Sequence, residues 1–176
     1  SFSFYSYVIL IITASVLFGS VVRYLSSLYL ADYFYTKSFV GIKENKFNKV
    51  YDNQKKALSY NPYLEQYHLG FARTHFVLAQ NVIEKASSSG SASLTFTKES
   101  KQTLIEAIQF AIMESQTAIY LNPKKADYWA NLAQMYNIIP KELQTANQKG
   151  ADTPQTAAVT FFKKAIELDP NNPAYY

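Results

Sequence analysis

A tyrosine-centred tetrad recurs along this chain, and its copies are tied to prolines. Ala31 to Phe34 reads ADYF and Ala126 to Trp129 reads ADYW, while Glu65 to His68 (EQYH) and Pro173 to Tyr176 (PAYY) are weaker copies. All four keep tyrosine in third place. Three of them follow a turn dipeptide, Asn61-Pro62, Asn122-Pro123 or Asp169-Pro170, and the residue in fourth place stands six positions beyond each proline. Proline lacks an N–H and pushes the residue before it out of the helical region, so each dipeptide ends a helix. A proline stop followed by a helix restarting at a fixed offset describes a repeated helical unit. Such a unit buries its apolar face only against a neighbouring copy, which directs the chain toward an all-α stack of antiparallel helix pairs, a solenoid.

The residues around the tetrads resemble the tetratricopeptide repeat, a pair of antiparallel helices of about 34 residues with a Trp, Leu, Gly, Tyr, Ala, Phe, Ala, Pro pattern. The third repeat matches best, with Trp129, Leu132, Ala133 and Tyr136 on its first helix and Ala158, Phe162, Ala165 and Pro170 on its second. The second supplies His68, Phe71, Ala72 and His75, then Ala111, Ser115, Ala118 and Pro123. The first keeps Phe34, Ser38, Val50, Ala57 and Pro62, but Lys37, Gly41 and Gln54 stand where large apolar or aromatic residues are usual. In this frame the repeats run 31–64, 65–125 and 126–172, with 34, 61 and 47 residues, and 173–176 begin a fourth. The excess of the second repeat is expected between its helices, around the Ser/Gly stretch Ser87 to Ser93, which has linker composition. That of the third is expected near Ile139 to Gln155, ending in Thr153-Pro154, a good N-cap and first-turn pair. Leu104, Ile108, Ala111, Ser115, Ala118 and Ile119 form one helical stripe from which Lys101, Glu106 and Glu114 are excluded.

Ahead of the repeats, Ser1 to Val22 is a run of 22 residues without a charge. About 20 apolar residues at about 1.5 Å each cross a hydrocarbon core of about 30 Å, so residues 1–30 read as one transmembrane helix in contact with a lipid bilayer. Tyr5, Tyr7, Tyr24, Tyr29 and Arg23 near its ends suit interfacial anchors. A secretory signal would need a basic leading segment, which SFSFYSY lacks. A buried core helix would need surrounding apolar mass that the rest of the sequence does not offer. The start at Ser1 and the stop inside a fourth repeat give the expectation of a segment from a longer protein.

The chemistry readable from the side chains is sparse. There is no cysteine, which removes disulfides, thiolate metal sites and thiol nucleophiles, and a net charge of +4 is too dilute to mark a nucleic-acid partner. With 48% hydrophobic and 17% charged residues the chain is expected to fold. His68 and His75 lie two turns apart on one helix face, but they occupy the Trp and Tyr slots of the repeat and read as packing rings rather than metal ligands. Asp32, Glu65 and Asp127 sit at helix starts, where the dipole favours them. Lys43, Lys46 and Lys49 read as a solvated stripe. No phosphate loop or nucleophile motif occurs, so no catalytic residue, cofactor or metal is expected in this segment.

The resemblance implies a concave face, lined by the first helix of each repeat, that holds an extended peptide or a partner helix. Offset from the pattern assigns Tyr35, Phe39, Leu69, Arg73, Asn131 and Gln134 to that face. The best-known clamp of the family grips a C-terminal carboxylate with several Lys, Arg and Asn residues, and here only Arg73 and Asn131 could serve. Two functions fit. In one, the chain is the C-terminal part of a polytopic bacterial protein of the cytoplasmic membrane, since the span running straight into a repeat resembles glycan-transfer proteins of the O-antigen ligase and polymerase type. In the other, it is a single-pass adaptor that recruits a protein partner beside the membrane.

Overall fold

Each proline stop ends its helix in the same way. Asn61, Asn122 and Asp169 adopt φ of −143°, −146° and −145° with ψ of 91°, 81° and 81°, the extended region that a following proline demands. Their N–H groups donate to the carbonyls of Ala57, Ala118 and Ala165, each at 3.0 Å. All three alanines are fully buried. The turn and the small contact residue one helical turn before it are therefore one device, repeated three times.

The computed structural model describes residues 3–44, 46–87, 94–143 and 153–175. They form α1 (Phe4–Lys43), α2 (Phe47–Tyr60), α3 (Glu65–Ser87), α4 (Lys98–Leu121), α5 (Ala126–Asn137) and α6 (Pro154–Leu168), with 3₁₀ turns at Lys141–Leu143 and Pro173–Tyr175. No strand occurs among the described residues. The chain divides into two compact bodies, an N-terminal hairpin, Ser1–Pro62, and a C-terminal body, Tyr63–Tyr176.

The hairpin packs α2 antiparallel along the second half of α1. At one end Gly41 meets Val50, and at the other the Phe34 and Tyr60 rings stack at 5.7 Å, while Ser27 Oγ donates to the Tyr60 carbonyl at 2.6 Å. The buried residues of α1 are Ala31, Ser38 and Gly41, and those of α2 are Val50, Gln54 and Ala57. Gly41 replaces the large residue usual at its slot, and Val50 replaces the usual alanine. The two departures compensate, because a Cβ on Gly41 would lie 2.9 Å from Val50 Cγ2 and 3.0 Å from its backbone nitrogen.

In the C-terminal body each helix packs on the next. Late α3 meets early α4 through Ala79, Leu104, Ala107 and Ile108, and early α3 meets late α4 through Leu69, Ala118 and Ile119, so this pair too is antiparallel. Helix α5 lies against both, with Tyr128 and Leu132 beside Leu69 and Met135 between Ala72 and Ala111. Helix α6 returns along α5 through Ala130 and Ala165, joined by Tyr175. Trp129, in the aromatic slot, is half-buried against Phe161 and donates from Nε1 to the Pro123 carbonyl at 2.9 Å.

The excess residues of the second repeat largely form helix. Helices α3 and α4 have 23 and 24 residues, against 12 and 15 for α5 and α6. Their extended ends gather Leu78, Val82, Ile83 and Phe96, and Ile138, Ile139 and Leu143 from the excess of the third repeat pack on the same cluster. The two additions cover each other. Residues 88–93 and 144–152 lie outside the described residues, as does Tyr176, whereas Thr153 caps α6 as its sequence suggests, accepting from Thr156 N at 3.2 Å.

The Gly41 contact gives a directional expectation. In a helix, Gly→Ala ordinarily gains about 1 kcal/mol, but overpacking against a β-branched side chain and backbone costs about 1 to 3 kcal/mol. Gly41→Ala should therefore lower the melting temperature of the purified chain, whereas Gly19→Ala, which meets nothing within 4 Å, should not.

Candidate functional site

The six residues assigned to the partner face divide between the two bodies. On α1, Tyr35 and Phe39 form an edge-to-face pair at 5.2 Å, with Phe39 46% exposed. In the C-terminal body Leu69 is 8% exposed and belongs to the core cluster with Tyr128 and Leu132, so its side chain serves packing between α3 and α5. Arg73 and Asn131 come together across the same two helices, Arg73 Nε donating to Asn131 Oδ1 at 3.3 Å. Asn131 is buried at 8% exposure and donates from Nδ2 to the Asp127 carbonyl at 3.2 Å, which fixes its amide. Arg73 itself is exposed, as is Gln134 one turn beyond Asn131 on α5. The face thus presents one oriented guanidinium and a neutral amide, held on rigid helices.

Next to this face lies a set of contacts that link successive repeats. The Tyr128 hydroxyl, third in its tetrad, hydrogen-bonds Glu65 at the start of α3, and Asn122 Nδ2, at the stop of α4, donates to Glu65 Oε1 at 3.2 Å. One step along, the Tyr175 hydroxyl, again third in its tetrad, donates to Asp127 Oδ1 at the start of α5. The tyrosines of these last two tetrads therefore each bond the helix-start carboxylate of the repeat before. Burial first, and then the neighbouring carboxylate, push both tyrosines up to about 12. The bond from Asn122 does most to hold Glu65 below the ordinary carboxylate range. Helix-start position alone assigns these acids to the dipole; pairing them with the third-place tyrosine one repeat later is the signal that exposes the latch.

The histidines pack as rings. His75 is 5% exposed, stacked on Phe110 at 5.1 Å and edge-on to Phe71 at 4.7 Å. Burial lowers its pKa, against a smaller opposing pull from Glu114. His68 Nδ1 lies 2.6 Å from Glu114 Oε2, with both side chains largely buried. In the lysine stripe, Glu44 Oε2 pairs with Lys46 at 3.0 Å and Lys49 at 2.9 Å, in solvent, and these hydrogen bonds, that from Lys49 first, lower the Glu44 pKa.

No family model matches the chain, and no curated protein matches it. Its fold is that of tetratricopeptide-repeat domains of known structure. The Arabidopsis OM64 TPR domain superposes with a TM-score of 0.55 at 14% identity, over 85% of this chain and 90% of that one. The first TPR of Spaghetti (RPAP3), bound to the HSP90 peptide SRMEEVD, superposes with a TM-score of 0.56 at 14% identity, over 84% of this chain and 86% of that one.

Two stability profiles follow. Tyr128 has a folded pKa above its unfolded value, so its contribution is present below about pH 10 and is lost as pH rises through about 12. Tyr128→Phe should cost about 1 to 2 kcal/mol at neutral pH, by stranding part of the bonding of Glu65, and should shrink the loss of melting temperature between about pH 9 and about pH 11. His75 has the opposite shift. Its contribution is present above its unfolded value and is lost as pH falls, so His75→Phe, which keeps a ring between Phe71 and Phe110, should flatten the decline in melting temperature between about pH 7 and about pH 5.

Proposed function

We propose that this chain is a membrane-anchored interaction module, in which a transmembrane α1 carries tetratricopeptide-type repeats whose first-helix face binds a protein partner as an extended segment. The observation that carries the binding role is the Arg73–Asn131 pair: an exposed guanidinium oriented by a buried amide, beside exposed Gln134, on two adjacent first helices. A preorganised donor on rigid elements loses little entropy when it engages a backbone carbonyl or a side-chain acceptor. On the first repeat, taken by itself, Tyr35 and Phe39 offer a separate apolar contact of the same proposed kind.

The membrane role is supported by α1 itself. It has 40 residues, its most apolar window has a mean hydropathy of 2.1, and none of that window is buried against the rest of the chain. A helix apolar on every side and uncovered by protein suits lipid. The hydroxyls of Thr13, Ser15 and Ser20 donate to the carbonyls of Ile9, Ile11 and Val16, each at 2.8 Å, so none of them would enter the hydrocarbon unsatisfied.

The RPAP3 repeat was solved with an acidic HSP90 peptide, whereas a single oriented arginine here favours a partner that is mostly neutral. None of the structural likenesses supports parentage in a glycan-transfer protein, and the proposed function does not depend on it. The test is site-specific photocrosslinking in the membrane of the source cells. A crosslinker at Arg73 or Gln134 should capture a discrete partner, and one at Gln109, exposed on α4, should not. Capture at Gln109 alone would overturn the assignment of the face.

A further inference from the structure

The apolar half of α1 passes into the first repeat without a break, and that continuity fixes how far from the hydrocarbon the end of α2 lies. The uncharged run ends at Arg23, and the 20 residues from Phe4 to Arg23 span about 30 Å, the thickness of the hydrocarbon. The headgroup layer beyond it is roughly 5 to 8 Å deep. Ser27 is four residues past Arg23, about 6 Å along the helix, and its Oγ is the group that binds the Tyr60 carbonyl at the end of α2. The far end of α1, at Lys43, stands a further 20 residues from Arg23, about 30 Å into the water. The α1–α2 turn with its lysine stripe is therefore remote from the bilayer, and the opposite end of α2 returns to it.

The side chains gathered at that returning end suit an interface. Tyr24 and Tyr29 of α1 are 64% and 72% exposed, and Tyr60, stacked on Phe34, keeps 40% of its surface open. Lys55 and Lys56, exposed about one turn before that end, stand roughly 6 to 8 Å farther from the hydrocarbon, and their amino groups lie over the Tyr51 and Phe34 rings at 6.0 and 5.3 Å. Amphipathic rings are the chemistry that settles at headgroup depth. We infer that the end of α2, Ser59 and Tyr60, together with Tyr24 and Tyr29, is a contact site for phospholipid headgroups, with the exposed rings of α1 meeting their phosphates. The hairpin then meets the membrane twice, through α1 as a span and through α2 as a foot resting on the same leaflet. This rests on the proposed transmembrane reading of α1.

The absence of native cysteine makes the test direct. Single-cysteine variants Leu17→Cys, Lys43→Cys, Lys55→Cys and Ser59→Cys of the full chain carry an environment-sensitive fluorophore in vesicles of phosphatidylcholine and phosphatidylglycerol, with unchanged far-UV helix signal as the folding control. Ser59 is exposed and its Oγ bonds the Lys56 carbonyl of its own turn, and Lys55 gives an independent reading nearby. Headgroup-linked quenchers should quench the label at 59 roughly threefold more than the label at 43, with the label at 55 between the two, while acyl-chain quenchers reach the label at 17. Labels at 55 and 59 that behave like the one at 43, with 17 still deep, overturn the foot and leave the span standing. A label at 17 reached only by water-soluble quenchers overturns the span, and the foot with it.

Discussion

The three Ala-Pro turns set the geometry on which everything else in this chain depends. An alanine with no exposed surface lets two helices approach to backbone distance, and the Asn or Asp four residues later leaves the helix at a φ near −145°, because a proline follows it. Closeness of packing and place of termination are thus decided within one six-residue stretch. Neither can vary without the other. A larger residue at Ala57, Ala118 or Ala165 would push the paired helix outward just where the chain must turn to start the next one.

With the turns fixed, the helix starts of successive repeats come close enough for a second interaction, the tyrosine-to-carboxylate bond. Tyr128 reaches Glu65 and Tyr175 reaches Asp127 because each tyrosine stands at the same place after its own proline stop. Such bonds are made in a desolvated setting, where leaving either partner unpaired costs more than the bond itself contributes. The latch therefore specifies spacing more than it adds stability. It also places Asp127, whose backbone carbonyl holds the Asn131 amide, which in turn aims Arg73. A contact between repeats thus ends by orienting Arg73, a cation of the proposed partner face.

The fold class was readable in the sequence because proline and alanine act locally: Asn122-Pro123 ends a helix whatever surrounds it. The Thr153 cap and the stripe from Leu104 to Ile119 were legible for the same reason. What could not be read depends on partners distant in sequence. Gly41 looks like a defect until Val50 is seen against it, and Leu69 looks like a face residue until Tyr128 and Leu132 close over it. Composition marks Ser87 to Ser93 as linker but gives no sign that the excess flanking it is helix, which depends on Leu78, Val82 and Phe96 sharing a cluster with Ile138, Ile139 and Leu143. Arg73 and Asn131 stand at the ninth and sixth places of adjacent repeats, so their offsets put both on the face but do not foretell that they meet.

Helix α1 is one unbroken element with two patterns of exposure. Up to Ser26 every described residue but Ser6 is exposed, and the apolar side chains point in all directions. From Ser27 onward a period takes over: Ser27, Leu28 and Leu30 are half-buried, Ala31 is fully buried, Phe34 and Tyr35 are half-buried, and Ser38 and Gly41 are buried. Spacings of three and four mark one face turned to α2. The change from uniform to one-sided exposure falls within a turn of Arg23, where the uncharged run also ends. Charge pattern and packing pattern, which have no physical need to coincide in a soluble hairpin, change together here. A bilayer that claims the first half of the helix and a protein neighbour that claims the second would produce that coincidence. The absence of any hinge between them means that tilting the first half would tilt the first repeat by the same angle.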